Sequence, residues 1–249
     1  MRGSEKMAKG FFVTGTDTGV GKTVISAALV RLLKGAGLSV CAMKPIESGC
    51  MRKGDALVPA DGALLRTMAG MEEDISVVTP YALEAPLAPM VAAEREGVRI
   101  EPERIKKIFG GLAKRYNAVV VEGVGGLLVP IRRDFYVLDL AGELGLPLVV
   151  VARPGLGTIN HTLLTVRCAL DAGVQVAGVV INRLGPADGA QDPSWPTNPE
   201  VIRELSGVPL IGIFPYLKDI SGPALEKTAR ENLDLLRSYR PLPPPPMLA

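Results

Sequence analysis

Lys22 and Thr23 end a glycine-rich turn, GTDTGVGKT at 15–23, that joins an apolar run to a stretch of helix-forming residues. Glycines at 15, 19 and 21 let such a turn fold tightly with its N–H groups inward, and the helix that follows adds the positive end of its dipole. Gly19, Val20, Gly21, Lys22, Thr23 and Val24 thus form an anion cradle. The lysine reaches the β and γ phosphates of a nucleotide, and the threonine hydroxyl takes a coordination position on Mg²⁺. In the usual G-x-x-x-x-G-K-[ST] spacing the first glycine would fall on Thr16, with Gly15 one residue early.

Three further polar groups stand at or near the ends of apolar runs. Lys44 closes LSVCAMK, Glu122 closes NAVVVE, and Asp61 opens the helical pattern DGALLRTMAG. An acidic residue at Glu122 can reach a Mg²⁺ held by Thr23, and Asp61 can complete a hard-oxygen donor set with phosphates and waters. The residues alone leave Asp61 open to a plainer role as a helix N-cap. They also leave Lys44 open to being an ordinary solvated lysine. At a strand end beside a phosphate turn, however, Lys44 can neutralise charge on a transferring phosphoryl group.

These groups need a scaffold. Continuous apolar runs recur at 10–15, 38–44, 117–123, 147–152, 174–182 and 208–214, as expected of strands covered on both faces. Helical patterns lie between most of them, several ending in glycine. The alternation predicts an α/β fold: a doubly wound, mostly parallel sheet with helices on both faces, of the P-loop NTPase type. Ligands of such a sheet bind beyond the carboxyl ends of its strands, where Lys22, Lys44 and Glu122 stand.

Composition narrows the function. The chain has 249 residues, 28 basic and 26 acidic, with a formal net charge of +2 and 4% aromatic residues. This balance offers neither an electrostatic footprint for nucleic acid or acidic membranes nor a stacking platform for single strands. Cys41, Cys50 and Cys168 show no metal-ligand spacing with the single histidine, His161. With no apolar stretch suited to a bilayer, the expectation is a soluble cytoplasmic protein. Residues 1–6 read as a leader, 7–240 as one synthetase domain, and 241–249 as a Pro-rich, polyproline-like tail.

In order along the chain, GTDTGVGKT, KPIESG, TPYALEAPLAP, VEGVGG, GTINH, INRL and FPYL resemble the dethiobiotin synthetases, covering about Phe11 to Leu217. The resemblance implies ATP as co-substrate with Mg²⁺, and 7,8-diaminononanoate and CO₂ as the molecules joined. It implies that Lys22, Lys44 and Thr18 serve catalysis and that Thr23, Asp61 and Glu122 serve the metal. Thr18, Lys44 and Ser48 would orient the substrate, and Gly123, Val124 and Gly125 would line the pocket through their backbones. Asn182 would read the adenine, flanked by Pro215, Tyr216 and Leu217. Gly157, Thr158, Ile159 and Asn160, at a helix N-terminus, would hold the substrate carboxylate from the second subunit of a homodimer. Gly19 stands where some members carry an acidic residue, and the segment 183–200, including Trp195, departs from the family pattern.

Two other classes share parts of this pattern. Partitioning and division-site switch ATPases have a similar turn but usually carry a lysine early in it, where this chain has Asp17. Corrinoid amidases have a related loop but also need an ammonia source, and the chain beyond the last apolar run is too short for a glutaminase domain.

Overall fold

The computed structural model describes residues 9–185 and 192–235. The expected leader, the Pro-rich tail, the outermost parts of the expected synthetase domain and residues 186–191 lie outside the described residues. The described chain runs β1 (Lys9–Gly15), α1 (Lys22–Gly35), β2 (Val40–Met43), β3 (Ile46–Ser48), β4 (Met51–Lys53), β5 (Ala56–Val58), α2 (Ala60–Ala69), α3 (Ile75–Val78) and β6 (Tyr81–Leu83). It continues through α4 (Pro89–Glu96), α5 (Pro102–Arg115), β7 (Ala118–Glu122), β8 (Pro130–Arg132), β9 (Phe135–Tyr136), α6 (Val137–Leu144), β10 (Leu148–Ala152) and α7 (Thr158–Asp171). The last elements are β11 (Val176–Asn182), α8 (Asn198–Leu205), β12 (Leu210–Phe214) and α9 (Gly222–Asn232).

Six strands form one parallel sheet in the order β12-β11-β10-β1-β7-β2. All six coincide with the continuous apolar runs. Every residue of β2, β7, β10 and β11 is buried, as strands sandwiched between helices must be. From β1 the chain winds toward β2 at one edge, then returns through β7 and proceeds over β1 to β10, β11 and β12 at the other. Right-handed crossovers in opposite directions put α1 and α6–α8 on opposite faces. Accordingly α1 packs with α2 and α9, while α7 packs with α8 and α5 with α6. The winding reverses at β1, so the loops after β1 and its neighbours diverge and leave a crevice at their carboxyl ends.

The helical patterns around α1, α2, α5, α6, α7 and α8 correspond to observed helices. Three helices and three short strand pairs exceed the expectation. Helix α9 buries only a thin stripe, Leu225, Thr228 and Ala229, which a strong apolar period would not reveal. Helix α4 starts at Pro89 and buries small Ala92 and Ala93. Strands β3 and β6 pair in parallel, β4 and β5 make an exposed hairpin, and β8 pairs with β9. The β4–β5 hairpin projects between Ser48 and Asp61, and Arg52 in the middle of β4 donates to Glu84 at 2.7 Å. Among the described residues no helix is long and apolar enough to cross a membrane.

Candidate active site

The turn after β1 owes its shape to crowding as much as to dihedral freedom. Gly19 and Gly21 are left-handed, with φ of +75° and +86°, and Gly21 is the N-cap of α1. A Cβ on Gly15 would lie 2.7 Å from Val20 Cγ2 and 2.8 Å from the Asp17 carbonyl, so this glycine answers close approach instead. Lys22 folds back over the turn, its Nζ donating to the Asp17 carbonyl at 3.0 Å. Burial, then the neighbouring Lys44, lowers its pKa to about 8, although Glu122, Asp61 and Asp17 pull the other way.

Strands β2 and β7 are adjacent, so Lys44 and Glu122 emerge side by side at the same sheet edge. Lys44 Nζ lies 2.5 Å from Glu122 Oε1 and 3.2 Å from Asp61 Oδ2. Burial acts to lower the Lys44 pKa, but Glu122 and Asp61 together outweigh it and hold the ammonium above its ordinary value. Thr23 Oγ1 donates to the same Glu122 oxygen at 3.0 Å. Glu122 is wholly buried, and its Oε2 has no hydrogen-bond partner, which is unusual for a buried carboxylate oxygen.

Asp61 is not an N-cap. Pro59 holds that position, Asp61 stands in the first turn of α2, and its side chain faces Lys44. The cap is supplied from elsewhere by a residue that sequence reasoning passed over. Glu47 on β3 accepts the Asp61 N–H on Oε1 and the Gly62 N–H on Oε2, each at 3.0 Å. Burial raises the Glu47 pKa, and the two N–H groups only partly offset that. The one available sequence signal was an acidic residue inside the otherwise apolar and small PIESG.

A cleft of about 800 Å³ joins these groups. Thr18, Gly19, Gly21, Lys22, Thr23, Val24, Lys44, Ser48, Asp61, Glu122, Val124 and Gly125 line it, so twelve of the expected site residues converge. Glu47, Val129 and the segment Pro86–Pro89 complete the wall; Val129 and Pro86–Pro89 add apolar surface that the motif reading did not assign.

The remaining expected residues lie outside this cleft. Val20 is buried beneath the turn, and Gly123 sits behind Val124 against Phe12 and Val137. Asn182 is buried at the end of β11, where its amide donates to the Val20 carbonyl at 3.0 Å and so braces the phosphate turn. Pro215, Tyr216 and Leu217 follow β12, whose last residue Phe214 accepts the Arg183 N–H at 2.9 Å. Trp195 stacks against the Arg183 guanidinium at 5.5 Å. Gly157, with φ +91°, opens α7; Thr158 is buried, Ile159 half-buried and Asn160 exposed.

A family profile described as an AAA domain matches residues 9–224. The "ATP-dependent dethiobiotin synthetase BioD" of Thermodesulfovibrio yellowstonii is 44% identical over 236 residues, covering 92% of this chain and 98% of that protein. The proteins of the same name from Anaeromyxobacter sp. (strain K) and Bacillus subtilis (strain 168) are 47% and 40% identical, covering 86% and 91% of this chain and 92% and 96% of theirs. The chain belongs to the dethiobiotin synthetase family. Its membership makes it an enzyme of the ligase class. Solved structures add the fold alone. The septum site-determining protein MinD of Pyrococcus horikoshii superposes with a TM-score of 0.55 at 18% identity, covering 94% of this chain and 89% of its own. A ParA family ATPase from Chlorobium tepidum gives 0.51 at 17%, covering 93% and 92%. The chain thus shares its fold with these two proteins, and fold alone does not assign its chemistry.

The donor set also tests the expected Mg²⁺. The Thr23 hydroxyl, the Asp61 carboxylate and Glu122 with its unpartnered Oε2 are hard oxygens facing one cleft, a chemistry that suits this ion.

Proposed function

We propose that the chain joins CO₂ to 7,8-diaminononanoate with consumption of ATP, giving dethiobiotin, ADP and phosphate. The observation that carries this reading is Lys44. It is a buried ammonium between Glu122 and Asp61, in the same cleft as the phosphate turn and the Ser48 and Thr18 side chains.

The chemistry asks for such an arrangement. CO₂ adds to one amine to form a carbamate, whose resonance-stabilised carboxylate lacks a leaving group. Transfer of the γ-phosphoryl group to a carbamate oxygen makes a carbamic-phosphoric anhydride. The second amine then attacks its carbonyl, phosphate departs, and the five-membered ring closes. Both amines belong to one chain, so closure is intramolecular and the protein's work is positioning and charge neutralisation. Lys22 binds the phosphates, and Lys44 lies against carbamate and γ-phosphoryl oxygens. Ser48 and Thr18 orient the amines and carbamate, Val124 and Gly125 shape the floor, and Gly123 supports them from behind. Thr23, Asp61 and Glu122 would hold Mg²⁺, which when bound supplies charge neutralisation at the β and γ phosphates.

For the base, Asn182, Pro215, Tyr216 and Leu217 stand together at the ends of the adjacent strands β11 and β12. The α7 N-terminus at Gly157–Asn160 lies outside the cleft, which favours a homodimer in which the partner subunit supplies the carboxylate site. Residues 7–240 then form one cytoplasmic synthetase domain.

Phosphate release from MgATP, assayed with diaminononanoate and bicarbonate each omitted in turn, tests the reaction. Release that continues undiminished without the diamine would refute it and favour a switch ATPase. Thr23→Val should weaken nucleotide binding by on the order of tenfold in Mg²⁺ and leave binding in EDTA unchanged, as titration calorimetry would show.

Lys22 gives a pH dependence. Its pKa in the ligand-free protein, about 8, lies below the ordinary lysine value, so the sign is opposite to that of a lysine gaining a partner. Below pH 8 the side chain is already charged and MgATP affinity should be flat in this range. Above pH 8 the bound polyanion must draw a proton onto Lys22, and affinity should fall by up to about tenfold per pH unit. Ligand-free stability should rise over the same range, because the folded protein sheds the buried charge first. A flat affinity from pH 7 to 9.5 would contradict the assignment.

A further inference from the structure

Glu47 has no part in the chemistry above, yet it is a buried carboxylate on the wall of the cleft. We propose that Glu47 is a positioning residue that fixes Asp61 for its encounter with the metal-bound nucleotide. The inference rests on the reading of Asp61 as a metal-facing carboxylate.

Helix α2 begins without a local side-chain cap. The N–H groups of a first helical turn need acceptors, and those of Asp61 and Gly62 both go to Glu47. A carboxylate accepting two N–H groups at a helix start is a strong, directional tie that also complements the dipole. Its far end is equally fixed. Glu47 lies in β3, which pairs with β6, and shares one short segment with Lys44 and Ser48. A single side chain therefore locks the segment carrying Lys44 to the turn carrying Asp61.

Asp61 needs that support. Its side chain is 40% exposed and is held by an ion pair with Lys44. The start of α2 is also pressed against its neighbour, since a Cβ on Gly62 would lie 2.0 Å from Thr79 Oγ1. With Glu47 removed, two N–H groups lose their acceptor, the first turn frays, and the Asp61 carboxylate loses its fixed distance to Lys44 and Thr23.

Glu47→Ala risks the fold, so the decisive variant is Glu47→Gln. It keeps the size but offers an NH₂ group to one of the two N–H donors. Calorimetric titration of ATP in EDTA and across a Mg²⁺ series separates positioning from a general structural role. Glu47→Gln should raise the Mg²⁺ needed for half-maximal tightening by roughly tenfold, with affinity in EDTA unchanged. In an Asp61→Asn background the same change should add less than about twofold, because the residue it positions is already disabled. Hydrogen exchange of the Asp61 and Gly62 amides in the ligand-free protein should accelerate in Glu47→Gln. A wild-type Mg²⁺ requirement in Glu47→Gln, an equal loss in EDTA, or an undiminished effect in the double variant would overturn the inference alone. A wild-type Mg²⁺ requirement in Asp61→Asn would overturn the metal reading of Asp61, and this inference with it.

Discussion

Lys44→Ala should lower turnover by on the order of a thousandfold while leaving MgATP bound, a loss equivalent to about 4 kcal/mol of barrier. The variant removes the one ammonium seated between Glu122 and Asp61, where negative charge on the carbamate and phosphoryl oxygens would otherwise go unmet. It also strips Glu122, fully buried, of its ion-pair partner. Breaking a buried pair from one side costs about 3–5 kcal/mol, so the ligand-free variant should melt well below the wild type. Nucleotide with Mg²⁺ should recover much of that difference by returning positive charge to Glu122. Single-turnover phosphate release and melting curves with and without MgATP read both effects. Turnover within a factor of about ten of wild type would remove Lys44 from the chemistry.

Gly21→Ala should abolish useful nucleotide affinity, by on the order of a hundredfold, and should do so far more severely than Gly19→Ala. Both glycines are left-handed, which costs an alanine about 1–2 kcal/mol. Only at Gly21 does the added methyl collide, 2.0 Å from Asn182 Nδ2, whereas at Gly19 nothing lies within 4 Å. Relief of that collision must displace either the cradle or the asparagine that braces it through the Val20 carbonyl. Calorimetric titration of both variants with MgATP separates strain from collision. Equal losses at the two positions would show that dihedral strain alone governs the turn.

The parallel sheet was legible because burial on both faces leaves a continuous apolar run, and β2, β7, β10 and β11 are buried throughout. The convergence of Lys22, Thr23, Lys44 and Glu122 was legible for a topological reason: Lys22 and Thr23 open the helix after β1, Lys44 follows β2 and Glu122 ends β7, and the carboxyl ends of these parallel strands meet at one edge. Asp61 was half legible. Its type suited a metal, but only the fold shows that Pro59 holds the cap position and frees its side chain to face Lys44. Glu47 was not legible, because its meaning lies in two backbone N–H groups contributed by a later helix, and no side-chain pattern records such partners. Asn182 has a partner of the same kind: its amide donates to the Val20 carbonyl of the glycine-rich turn, far away in the chain, and no sequence pattern records that bond. The walls formed by Pro86–Pro89 and Val129 escaped for a plainer reason, since apolar side chains facing a cleft look like any others in sequence.

The β4–β5 ribbon reaches outward at Gly54 and Asp55 from strands that leave Met51–Lys53 in solvent, and Arg52 ties β4 to Glu84. A peptide tag or fluorophore-bearing insert grafted at that tip would extend into open water, anchored within a short span of Ser48 and Asp61. The hairpin thus offers a place from which an optical reporter could watch ligands arrive and leave, without altering any group that touches them.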